Sequence, residues 1–62
     1  MIEVTRLNEV KFSINSDLIE TVEETPDTVI TLTNGKKFVV TESMKEIKDL
    51  VIDYKRAIYM KS

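Results

Sequence analysis

Apolar and polar residues alternate along this chain with two different periods, and the change of period divides it. Ile2, Val4 and Arg6 alternate with Glu3, Thr5 and Leu7. After Asn8-Glu9, Val10, Phe12 and Ile14 alternate with Lys11, Ser13 and Asn15. This period of two predicts a first β-hairpin. Asn8 tolerates the left-handed region but Glu9 is a poor second turn residue, so this turn is expected to be looser than a type I′ turn. Asn15-Ser16-Asp17 interrupts the pattern. Residues 18–24 then read as a linking strand, with Leu18, Glu20 and Val22 on one face and Ile19, Thr21 and Glu23 on the other. Thr25-Pro26-Asp27 follows as a turn, because Pro26 pre-sets φ and Asp27 can hydrogen-bond back to nearby backbone.

The second hairpin is written out more fully. Residues 28–33 and 36–41 flank Asn34-Gly35, the pair favoured by a two-residue type I′ turn, and are expected to pair across it. Ile30 and Leu32 are the core candidates of one strand, and Phe38 and Val40 those of the other, with Val39 facing away. No repeat, linker or low-complexity tract is evident. The last third changes period: Met44, Ile47, Val51, Tyr54 and Ile58 recur at spacings of 3, 4, 3 and 4, one stripe of an α-helix over about residues 43–60. Leu50 and Ala57 widen the stripe. Ser43 and Glu46 form a capping box at its start, and Lys55, Arg56 and Lys61 lie near its other end, where cations favour the helix dipole.

The resulting expectation is an α+β fold: a small antiparallel sheet of four to five strands, built from two hairpins and a linking strand, with one C-terminal helix packed on it. Residues 1–62 form a single domain in this reading, with the strands inside 2–41. Core positions are Val4, Phe12, Ile14, Leu18, Val22, Ile30, Leu32, Phe38, Val40, Ile47, Val51, Tyr54 and Ile58.

Composition narrows the chemistry. A domain of 62 residues without Cys or His can use neither disulfides nor the usual structural metal sites to offset its small core, which leaves self-association, and a homo-oligomer is expected. The same absences remove the commonest general base, the strongest nucleophile and the soft-metal ligands, so neither enzymatic activity nor a cofactor is expected. Glu20, Glu23, Glu24 and Asp27 are the one carboxylate cluster, and they read as a solvated edge beside a turn. Nine basic and eleven acidic residues give a net charge of −2 with the signs mixed. That balance offers no general attraction for nucleic acid or anionic membrane. No apolar run approaches a membrane span and no signal peptide is visible, so the expected location is the cytoplasm, without direct membrane insertion. Off the helix stripe, Ile52 and Tyr59 share a flank with Lys45, Lys48 and Lys55, and Met60 lies close to the helix end. These three apolar residues are the candidate protein interface.

The string Asp17-Leu18-Ile19-Glu20, residues 23–28, Ile30-Thr31-Leu32, Gly35-Lys36-Lys37 and Val40, closing on Glu42-Ser43 and the helix, resembles the flagellar FlbD family, also called swarming motility protein SwrD. The opening Ile2-x-Val4-Thr5-Arg6-Leu7-Asn8 is similar as well, and the likeness spans essentially the whole chain. Glu9 departs from it, since the family commonly has Gly after that Asn. The resemblance implies a small cytoplasmic flagellar accessory protein that supports motor power and swarming and has no catalytic residues. It acts, on this reading, through contact with flagellar motor or stator proteins, possible association with the basal body included. The alternative is a small nucleic-acid-binding regulator of flagellar gene expression, for which Lys36-Lys37 and the Val4-Thr5-Arg6 opening are the motive.

Overall fold

The computed structural model describes residues 1–60, with side chains through residue 58. Five antiparallel strands and one helix follow in order: β1 (Ile2–Thr5), β2 (Lys11–Ile14), a 3-10 turn (Ser16–Leu18), β3 (Ile19–Glu24), β4 (Thr28–Leu32), β5 (Lys37–Val40) and α1 (Met44–Met60). The fold is α+β, as the change of period predicts, but the strands form two sheets, β1-β2 and β3-β4-β5. A seam joins them: Arg6 and Val40 make an isolated antiparallel bridge, and Thr41 N–H donates to the Thr5 carbonyl at 2.9 Å.

The second hairpin turns differently from the sequence expectation, while the first is looser than a type I′ turn, as expected. Thr31 pairs with Lys37 and Ile30 with Phe38, so the second loop is Thr33-Asn34-Gly35, one residue longer than a type I′ turn. Gly35 N–H donates to Leu32 O at 2.9 Å and Leu32 N–H to Lys36 O at 2.8 Å. Gly35 has φ +87°, whereas Asn34 does not enter the left-handed region. This is a type I turn followed by a left-handed bulge residue. Asn34 contributes through its side chain, whose Oδ1 accepts from Lys36 N–H at 3.0 Å. The register matters because a one-residue slip exchanges the faces of a strand. The observed pairing sets Ile30 beside Phe38 and Thr28 beside Val40, and so puts both apolar sets on the core side.

The first hairpin repeats the device. Glu9 N–H donates to Arg6 O at 2.9 Å, Arg6 N–H to Val10 O at 2.9 Å, and Asn8 Oδ1 accepts from Val10 N–H at 3.1 Å. Glu9, at φ 70°, occupies the place that Gly35 takes in the second hairpin. One constant shift along the sequence carries Val4 onto Ile30, Asn8 onto Asn34, Glu9 onto Gly35, Phe12 onto Phe38 and Ile14 onto Val40. The chain therefore contains a hairpin repeat that its residue identities conceal.

Ile2, Val4, Ile14, Ile30, Leu32, Val40 and Ile47 form the buried core, with Phe12, Ile19, Val22, Phe38, Leu50, Val51 and Tyr54 half-buried around it. Two expected core residues are corrected. Leu18 ends the 3-10 turn and is 44% exposed, and Ile19 packs in its place. The cause is a bulge between Ile19 and Thr21: Ile19 pairs with Leu32 and Val22 with Ile30, so the core side of β3 holds Ile19 and Val22 rather than Leu18, Glu20 and Val22. Ile58 lies on the helix stripe but is 48% exposed, against 2% for Ile47, because α1 outruns the sheet; residues 55–58 are all exposed. Between β3 and β4, the bend at Thr25, Pro26 and Asp27 contains a cis Thr25–Pro26 peptide and is spanned by Thr25 N–H to Asp27 O at 3.3 Å.

Candidate functional site

Three carboxylates fix the start of α1, and with it the position of everything the helix carries. Ser43 and Glu46 make the capping box from both sides: Glu46 N–H donates to Ser43 Oγ at 3.1 Å and Ser43 N–H to Glu46 Oε1 at 3.2 Å. Glu24 reaches from the end of β3 to accept Met44 N–H at 2.6 Å. Glu42 accepts the backbone N–H and hydroxyl of Thr5 at 2.9 and 2.8 Å. Burial works to raise the Glu42 pKa, but the Thr5 hydrogen bonds and the nearby Lys11 charge outweigh it, and the carboxyl sits below its ordinary value. These contacts join the helix start to both sheets and satisfy several N–H groups of its first turn. At the other end the dipole argument finds no support: Lys55 and Arg56 precede the last turn, which holds no basic residue, and Lys61 lies outside the described residues.

The acidic residues singled out in the sequence do not assemble into a site. Glu24 is a helix cap, and Glu20 falls in the β3 bulge without a cross-strand partner. Among the described residues no group of three or more Asp, Glu, His or Cys side chains is placed to hold a metal ion. Phe12 and Phe38, on the two hairpins, do come together, with ring centroids 5.3 Å apart and planes tilted by 46°. The Arg6 guanidinium lies 4.2 Å from the Phe12 centroid and 5.4 Å from that of Phe38. Their contact with Arg6 makes them a clasp between the sheets rather than an open stacking platform.

A depression lies between α1 and the β3 edge. It is an open cleft of about 420 Å³ lined by Ile19, Val22 and Ser16 from the sheet side, and by Met44, Ile47, Lys48, Val51, Ile52 and Lys55 from the helix. Ile52, one of the expected interface residues, is 42% exposed there. The side chains of Tyr59 and Met60, its expected companions, lie outside those described. Sequence reasoning missed Met44 and Val51 as cleft residues because both sit on the apolar stripe, which looked wholly internal. It also missed Ser16, whose hydroxyl is shut off from water and has no hydrogen-bond partner among the described residues.

Charge divides the helix. Among the described residues, Lys48 and Lys55 are the charged ones lining the cleft, and neither has a salt-bridge partner there; the ion pair found is Lys45–Asp49 at 3.9 Å. On the other flank Glu46, Asp49 and Asp53 join Glu3 and Glu42 around a second, acidic depression. No helix among the described residues is long and apolar enough to cross a membrane.

Comparison with known protein families finds a match. The family model FlbD, described as flagellar and swarming motility proteins, covers residues 1–59. No curated protein and no solved structure matches the chain.

Proposed function

The chain belongs to the FlbD family of flagellar and swarming motility proteins, and from that premise we propose that it is a non-enzymatic accessory protein that supports flagellar motor power through protein–protein contact. Its role lies in flagellar and swarming motility. The observation that carries the finer reading is the cleft beside α1: an apolar surface with lysines that are unpaired among the described residues, held in place by a helix whose start is anchored to both sheets. An apolar patch with a polar rim is what a recognition surface requires. Flagellar motor or stator proteins are the partners proposed, with the protein acting from the cytoplasmic side of the basal body.

The test replaces Ile52, which is 42% exposed and lies outside the core. Cells carrying Ile52→Asp should assemble flagella in normal number yet rotate them with lower torque and swarm poorly, as measured on tethered or bead-loaded filaments. Unchanged torque would sink the proposal. A fall in flagellar transcripts, together with a salt-sensitive gel shift on flagellar-operon nucleic acid, would replace it with the regulator reading.

A further inference from the structure

We infer that the cleft between α1 and β3 is the seat of an amphipathic α-helical segment of another protein, one whose apolar face is flanked by carboxylates. This rests on the motility reading above and names the chemistry of its partner. The floor of the cleft, Ile19, Val22, Ile47 and Val51, is apolar, and Met44 and Ile52 extend that surface outward with 43% and 42% of their area exposed. Filling it removes this area from water, the dominant favourable term in association.

Charge decides among the possible occupants. Among the described residues, Lys48 and Lys55 stand at the cleft with no carboxylate in its lining and no ion-pair partner. A second copy docked by two-fold symmetry would face these lysines with its own. A second copy offering its acidic flank would bring Glu46, Asp49 and Asp53, but among the described residues the one apolar residue beside them in that depression is the half-buried Leu50, too little to fill an apolar cleft. A partner with both an apolar face and flanking Asp or Glu satisfies both demands, and opposite charges across the rim add register and association rate.

Backbone chemistry decides the conformation. β3 is the edge of its sheet, where an added strand would find backbone partners, but the bulge between Ile19 and Thr21 breaks that edge within the cleft lining and so blunts strand addition. A helix carries its own backbone hydrogen bonds and presents apolar residues at the i, i+3, i+4 and i+7 spacing that such grooves accept.

The experiment uses the full chain and two synthetic peptides of about 16 residues, long enough to hold a helix. Both carry the same Leu stripe at that spacing, flanked in one by Glu and in the other by Lys. Amide chemical shifts are followed during titration. The Glu peptide should move the resonances of Ile19, Val22, Lys48, Val51 and Ile52, bind more weakly as salt rises, and lose about tenfold in affinity with the exposed double substitution Lys48→Glu and Lys55→Glu. The Lys peptide should bind that double variant better than the parent. Equal binding of the two peptides, shifts confined to another surface, or no binding overturns the inference. So does a dimer in light scattering that Ile52→Asp dissolves, since the occupant would then be a second copy. Reduced torque in Ile52→Asp cells without peptide binding would overturn the occupant and leave the motility reading standing; peptide binding with unchanged torque would do the reverse.

Discussion

Glu9 occupies a backbone conformation that its own side chain disfavours. At φ 70° it takes the left-handed bulge position, which costs an L-residue with a Cβ roughly 1–2 kcal/mol. Glu9→Gly is therefore expected to stabilise the protein by about 0.5–1 kcal/mol, the gain being trimmed by the greater freedom of glycine in the unfolded chain. Gly35→Ala should do the opposite, losing about 1–2 kcal/mol. A Cβ at Gly35 would meet no atom within 4 Å, so the loss would be conformational and not steric. Denaturant titration of the two variants measures both, and a destabilised Glu9→Gly would refute the equivalence of the hairpins. Glu42 supplies a second residue-scale test. Its folded carboxyl is held below the ordinary value of 4.5, so it contributes stability that is present above that value and is lost as pH falls through the lowered folded pKa. Thr5→Val removes one of the hydrogen bonds responsible, and its stability should fall less steeply on acidification than that of the parent. Parallel pH profiles for the two proteins would show that Thr5 does not hold the charge.

The helix shows where residue pattern predicts structure and where it stops. Its existence, its capping box and the burial of Ile47 were all readable, because period and caps are local properties of the sequence. The exposure of Ile58 was not: the stripe continues for as long as the sequence repeats it, whereas burial ends where the sheet ends. The same limit explains Leu18 and Ile19 in β3, since a bulge inserts a residue without any mark in an alternating pattern. It explains the cleft as well. Ile52 could be found from the helix alone, but the contributions of Ile19, Val22 and Ser16 come from elements brought beside it by the fold. The consequence is testable within one stripe. Ile47→Ala, at a buried position, should cost about 2–4 kcal/mol, while Ile58→Ala, half exposed beyond the sheet, should change stability by less than about 1 kcal/mol. Thermal denaturation of the pair decides it, and similar losses at both sites would mean that the end of α1 is packed after all.

At the scale of the molecule, the question is how two small sheets behave as one body. A two-stranded hairpin is marginal by itself in water, so β1-β2 depends on its attachments. These are the Arg6–Val40 bridge, the Thr41–Thr5 hydrogen bond, the Glu42 contacts with Thr5, and the packing of Phe12 on Phe38 under Arg6. Arg6 is common to the first and last of these, and its role in the clasp was hidden in the sequence, where it reads as one more polar position in a strand. A cation over an aromatic face contributes about 0.5–2 kcal/mol depending on its solvation, and the guanidinium stem adds apolar cover that a smaller side chain would remove. Arg6→Ala should therefore cost about 1–2 kcal/mol, with Arg6→Lys recovering only part because the ammonium lacks the flat face that stacks on a ring. The loss should also be local in its first effect. Amides of β1 and β2 should exchange with solvent faster relative to those of β4, as the hairpin opens from the seam before the three-stranded sheet does. Acceleration of equal size in both sheets would instead show that they unfold together, and that the clasp adds stability without defining a separable unit.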